Sequence, residues 1–195
     1  TALRAVGLPA RQCYTPRWAH TDDNHAWVEV WIDGTWHHLG ACEPEPELDI
    51  AWFDAPAKRA MMVHTTAFGK YVGKEKKNFE HPLYSKINLL SNYTTTKNLE
   101  ISVKDTDGKP VENAQVAFGL YNYAEYYPLA KLYTDKNGKA VLETGFGDLM
   151  IWVKKDGKTA SALAKADTDK MSLTIERCDF VPHCTHYKLC PPVAK

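Results

Sequence analysis

Along residues 25–32 the chain reads HAWVEVWI, and strand alternation puts Val28, Val30 and Ile32 on one face and His25, Trp27, Glu29 and Trp31 on the other. The first face is aliphatic and predicts a core-facing side. The second combines an imidazole, two indoles and a carboxylate, a set that a buried sheet surface accommodates only when every polar atom finds a partner. Asp33-Gly34 supplies a two-residue turn with positive φ at both central positions, so a return strand is predicted from near Trp36. Upstream, residues 1–6 read as the end of a helix stopped by Gly7 and Pro9, and residues 8–14 as a short strand.

Past the hairpin comes EPEPELD, stiffened by Pro44 and Pro46, then Trp52, Phe53 and irregular chain to about Tyr71. Between Lys70 and Asn98 lysines and turn residues accumulate without strong periodicity, which marks a domain boundary. Beyond it the pattern turns strictly β. Leu99, Ile101 and Val103 alternate with polar residues, and so do Val116 and Phe118. Val141 with Leu142, the series Leu149, Ile151 and Val153, the alanines 160, 162 and 164, and Met171, Leu173 and Ile175 complete six or seven short strands. The turns DTDGK, DKNGK and KDGK separate them, and this spacing predicts a sandwich or small barrel. The expected division is residues 1–75, a linker over 76–97, the sandwich over 98–176, and a tail over 177–195 containing Cys and His.

Composition narrows the function classes. Of 195 residues, 44% are hydrophobic and 25% charged, as in ordinary soluble domains. Lys plus Arg and Asp plus Glu number 24 each, so no global field draws the chain to nucleic acid or acidic membranes. No apolar run reaches bilayer-spanning length, so no membrane insertion is expected. The chain opens on Thr1 without a starting Met, which suggests a fragment whose N-terminal part is missing.

ALRAVGLPAR followed by NHAWVEVWIDGTWHHL resembles the core of transglutaminase-like proteins, papain-related thiol enzymes that include peptide N-glycanases and bacterial proteases. The resemblance implies an α+β first half, an incomplete papain-like lobe. It also implies that His25 is the general base and that the nucleophilic cysteine sits upstream of the ALRA segment, outside this chain. A thiolate is the attacking species in such enzymes, and a third polar group holds the imidazole in its working tautomer. Where the family usually places an aspartate after the hairpin, this chain has Gly40. Glu43 is therefore the candidate orienting carboxylate, with Glu45, Glu47 and Asp49 as competitors. Trp18 and Trp27 are candidate substrate-cleft walls, packing being the alternative for each. Cys13, set in a strand, and Cys42, beside carboxylates, are both expected to be structural. His37 and His38 fall on opposite strand faces and are expected to be structural or exposed.

SVKDTDGKPVENAQVAF and YTDKNGKAVLETGFGDLMIWVKKDGK resemble the carboxypeptidase regulatory-like or transthyretin-like β-sandwich, a module that usually serves as an accessory or binding domain. Tyr121, Tyr123, Tyr126 and Tyr127 are expected mainly to cover the sandwich edge. In the tail, Cys178, His183, Cys184, His186 and Cys190 lack a paired C-x-x-C spacing, so no metal site is assigned there. A disulfide from Cys178 to Cys190 or Cys184 is the competing idea. The resemblances together imply a thiol amidase, needing no cofactor, that acts on a peptide, protein or glycoprotein in an extracytoplasmic setting. The rival reading is a non-catalytic binding protein with a degenerate lobe.

Overall fold

A computed structural model describes residues 1–178 and 185–194. The hairpin forms where the alternation places it: β2 runs His25–Ile32 and β3 runs Thr35–Leu39, with Asp33 at φ 50° and Gly34 at φ 87° in the turn. Strand β1, Ala10–Thr15, pairs antiparallel with β2, setting Cys13 opposite Trp27 and Thr15 opposite His25. Three further strands extend this sheet: β4 (His64–Phe68), β5 (Lys77–His81) and β6 (Tyr84–Asn88). The order is β3-β2-β1-β4-β6-β5, antiparallel throughout.

The α+β expectation fails. The chain is nearly all β, 47% strand against 6% helix, and no papain-like α+β lobe is present. Its α-helices are single turns, α1 at Ala2–Ala5 and α2 at Asp54–Ala57. A helix of one turn offers no face broad enough to cover a sheet, so loop residues do it instead: Trp18, Phe53, Leu89 and Leu90 pack with Trp27, Cys13 and Ile87. No helix among the described residues is long and apolar enough to cross a membrane.

Two further corrections concern the sheet. Residues 76–97, expected as linker, contain β5, β6 and a 3-10 turn at Leu90–Asn92. Each of these strands has only five residues, too few for alternation to stand out among the lysines. Strand β4, within a stretch read as irregular, is missed for the same reason. The aliphatic face of β2 is also not its only buried face: Trp27 and Glu29 on the other face are fully buried, as is Val30, while Val28 and Ile32 are half-exposed and Trp31 is exposed.

Glu29 is buried because its carboxylate is fully engaged. Arg11 Nε donates to Oε2 at 2.5 Å, and Tyr93 Oη and Asn92 Nδ2 donate to Oε1 at 2.5 and 3.2 Å. Tyr93 Oη in turn accepts from Trp27 Nε1 at 2.7 Å. The Arg11 guanidinium lies 3.9 Å over the Trp36 ring and reaches Glu75 at 2.7 Å. One carboxylate thus ties β1, β2 and the 3-10 turn together.

The second half forms the expected sandwich of seven strands. One sheet has the order β10-β7-β13, from Lys139–Thr144, Lys97–Lys104 and Lys170–Thr174, and the other β12-β11-β8-β9, from Lys158–Ala164, Leu149–Lys155, Gln115–Asn122 and Glu125–Tyr133. Leu99, Ile101, Val103, Val116, Phe118 and Ile151 fill the space between them. In the DTDGK and DKNGK turns, Asp105 and Asp135 each accept two backbone N–H bonds, with Gly108 and Gly138 at positive φ. Tyr126 stands edge-on between Tyr121 and Trp152, at 5.2 and 5.4 Å, on the outer face.

The two β units share a seam. Met61 and Met62 are fully buried in the sandwich core although they precede β4. Thr144 Oγ1 donates to Met61 O at 2.8 Å, and Asn88 Nδ2 donates to Glu143 O at 2.8 Å. A side chain at Gly145 would meet Ala60 O at 2.5 Å, so that position is held to glycine by close backbone approach. In the tail, Cys190 N donates to Asp148 Oδ2 at 3.0 Å. Cys190 is a free thiol, so the expected disulfide from Cys178 to Cys190 does not form, while His183 and Cys184 lie outside the described residues.

Glu29→Ala is expected to destabilise the chain by about 3–5 kcal/mol, because it leaves the Arg11 charge buried without its main partner. The shift in urea midpoint checks this. A loss under about 1 kcal/mol, typical of an exposed pair, would contradict the network's role.

Candidate active site

His25 is the first residue of β2, half-buried, at the end of the sheet where the loop over residues 16–24 arrives. That loop is fixed from two sides. Trp18 N donates to Asp23 O at 2.9 Å, and Trp18 O accepts from Asn122 Nδ2 of the sandwich at 3.1 Å. Arg17 Nε donates to the same Asn122 at 3.0 Å. The Trp18 ring is thereby held 6.1 Å from the imidazole and nearly parallel to it.

Four aromatic rings surround the imidazole. Trp27 lies at 5.9 Å, Phe53 at 5.1 Å, and Trp52 meets it edge-on at 4.7 Å. Trp18 and Trp27 are 2% and 0% exposed, so they back the histidine as packing and do not form a solvent-facing wall. Trp52, which sequence reasoning left unassigned, is 54% exposed and is the ring that borders open solvent. Its signal was faint, a lone indole after an acidic loop.

Of the two ring nitrogens of His25, Nε2 is sealed from solvent and has no hydrogen-bond partner. Its nearest carboxylate is Glu43, with Oε1 at 3.6 Å. The same oxygen accepts from Trp52 Nε1 at 3.4 Å. Burial holds the His25 pKa below the ordinary imidazole value, with Glu43 and then Asp23 pulling the other way. The ring is therefore neutral at neutral pH.

The competing carboxylates have other partners or none nearby. Asp49 accepts from His37 Nδ1 at 2.6 Å and from His38 N at 2.9 Å. His38 Nε2 pairs with Asp54 at 2.8 Å, and Asp54 caps Ala51 N at 3.0 Å. His37 and His38 therefore fasten the acidic loop to β3. Gly40 explains how Glu43 reaches back: a Cβ there would lie 2.5 Å from Glu43 O. An aspartate at position 40 is incompatible with this bend.

Of the two cysteines in this half, Cys13 does not suit nucleophilic attack. Cys13 is fully buried under Trp27, and burial, then the Glu29 charge, push its thiol pKa far up. Cys42 is a free, exposed thiol beside Glu43, contrary to the expectation of a structural cysteine.

With this geometry in view, residues 1–41 match a family model. The model is that of the transglutaminase-like superfamily, and the match covers 41 of the 195 residues. The match takes in α1, β1, β2, β3 and His25, and stops short of Glu43. No curated protein matches the chain. Among solved structures, the 3-chlorocatechol 1,2-dioxygenase of Rhodococcus opacus is similar at 12% identity over 44% of this chain and 60% of that one, with a TM-score of 0.35. The catechol 1,2-dioxygenase of an Acinetobacter species gives 12%, 47%, 57% and 0.34 in the same order. A streptococcal ancillary pilin gives 10%, 86%, 61% and 0.35. The chain spans less than two thirds of each, and likeness at this level assigns no function.

In an NMR titration, His25 is expected to titrate below the ordinary value near 6.5. Glu43→Gln should move it further down, because the lost charge had favoured the imidazolium. The folded value lies below the unfolded one, so stability from this group is complete above about pH 6.5 and declines as pH falls through it. Gly40→Asp is expected to cost about 1–3 kcal/mol through the backbone clash, read as a lower Tm. An unchanged Tm would mean the bend at Gly40 is not held as described.

Proposed function

We propose that this chain is the histidine-bearing part of a transglutaminase-like thiol amidase that acts on peptide or glycosylated-asparagine amides. The type is a protease, a peptide N-glycanase-like enzyme or an acyltransferase. The supporting observation is His25 itself: within the matched segment, its sealed Nε2 turns toward the Glu43 carboxylate at 3.6 Å. That arrangement leaves Nδ1 for the reacting partner and makes Glu43 the orienting group.

In this reading the thiol comes from polypeptide N-terminal to Thr1. Neutral His25 takes the thiol proton, and the thiolate attacks the amide carbonyl. The C–N bond breaks as the imidazolium protonates the departing amine, leaving a thioester. Water or a second amine then attacks the thioester, passes its proton to His25 and releases the thiolate. The dry aromatic surround of Trp18, Trp27 and Phe53 strengthens the electrostatics of each transfer. The sandwich serves as an accessory unit, and an extracytoplasmic setting suits such an enzyme.

The rival reading, a binding protein with a degenerate site, draws on Gly40 standing where the resemblance leads one to expect an aspartate and on the burial of Cys13. The two are separated by assaying peptide and glycopeptide amide cleavage with the full-length protein. His25→Ala is expected to lower kcat about 10²–10⁴-fold, and Glu43→Gln less, while the 195-residue chain alone is inactive. An inactive full-length protein favours binding. Activity of the 195-residue chain that Cys13→Ala abolishes would overturn the assignment of an external nucleophile.

A further inference from the structure

A cavity that His25 does not line lies where residues of β4, β5 and β6 meet residues of β8 and β9. Its volume is about 370 Å³, within the range of small-molecule sites, roughly 300–1,000 Å³. Both β units build it. His64, Phe79, Tyr84 and Lys86 come from the six-stranded sheet, and Lys131 and Tyr133 from the sandwich.

The charge balance of this cavity is one-sided. Two ammonium groups line it and no carboxylate does. Lys86 is half-buried, donates to Tyr14 Oη at 3.0 Å, and has no carboxylate within ion-pair distance among the described residues. Neighbouring Lys77 and Lys76 are by contrast paired with Glu80 and Glu143 at 2.7 and 2.9 Å. A half-buried ammonium without a counter-ion is unusual, because burial favours pairing.

His64 adds a second unmet requirement. It is 5% exposed, and its Nε2 is sealed with no hydrogen-bond partner. Burial, then the nearby Lys86 charge, hold its pKa down at about 3, so it is a neutral imidazole and adds no charge of its own. The rest of the wall combines aromatic and apolar side chains with the amides of Asn78 and Gln115. Phe79 and Tyr84 lie 5.6 Å apart at 38°, and Tyr133, half-exposed, accepts from Gln115 Nε2 at 3.1 Å. Leu129 and Pro128 close one side.

We propose that this cavity binds a small ring-bearing carboxylate, its charge met by Lys86 and Lys131 and its ring by Phe79, Tyr84 and Tyr133. The absence of acidic lining disfavours a metal cation, which needs oxygen ligands. The absence of arginine and of a helix N-terminus disfavours a polyphosphate. A uronic acid and an aromatic acid share the required chemistry. The inference is independent of the role given to His25.

The test is an NMR titration of the 195-residue chain with glucuronate and benzoate, against glucose and benzyl alcohol as uncharged counterparts. At least one acid is expected to bind about ten-fold or more tighter than its neutral counterpart, with shifts concentrated at His64, residues 78–86 and residues 128–133. Preference for glucuronate identifies the sugar source, and preference for benzoate the aryl source. Lys86→Met is expected to weaken binding about ten-fold, and Lys131→Met, at an exposed position, several-fold without change in Tm. Should Lys86→Met fail to fold, Lys131→Met decides. Equal binding of acid and neutral ring, no binding at all, or unchanged affinity in Lys131→Met would overturn the proposal.

Discussion

A single carboxylate, buried in the middle of a strand, organises the six-stranded sheet. Glu29 is 2% exposed, and a charge placed there is tolerable only because Arg11, Tyr93 and Asn92 converge on it. Those partners come from β1 and from the 3-10 turn after β6, so satisfying the charge also fixes where these segments lie. The chain continues through Tyr93 to the indole of Trp27, which lies two residues from His25 on the same face of β2. The position of the candidate base is thus set by a polar network, and the aliphatic face of the strand contributes little to it.

The same network accounts for the condition of the two groups beside it. Cys13 is sealed against Glu29 and Tyr93, where a thiolate would be both desolvated and repelled. His25 sits at the sheet's end, where one nitrogen is dry and turned toward Glu43 while Trp52 borders the opening. One sheet face therefore holds an inert cysteine and a neutral, poised imidazole. The difference lies in depth and in the nearest charge.

The sandwich takes part in the site without supplying chemistry to it. Asn122 holds the Trp18 carbonyl and Arg17, and Met61 and Met62 are packed into the sandwich core. Loosening this seam would release the loop that stacks Trp18 on His25. The proposed carboxylate cavity is also lined from both β units, so it and the Trp18 loop alike depend on their relative placement.

Much of this was legible in the chain. The DG turn, the β2 alternation, six of the seven sandwich strands and the placing of His25 among aromatics follow from local rules, since strand period and turn dihedrals are properties of neighbouring residues. Short strands β4, β5 and β6 were not legible, because five residues carry too little pattern to distinguish them from a linker. Nor could the pattern tell that β2 buries Trp27 and Glu29 as well as Val30: an aliphatic face reads as core, and only the convergence of Arg11, Asn92 and Tyr93 from distant positions lets the Glu29 carboxylate be buried. Local pattern was enough for the β2–β3 hairpin, most of the sandwich strands, their turns and the candidate residues His25 and Glu43. Only the folded chain shows that the Trp18 and Trp27 rings are buried, that Gly40 is a bend, and that Lys86 without an ion-pair partner and the sealed His64 come together on the neighbouring strands β4 and β6, because burial and charge pairing are set by segments far apart along the chain.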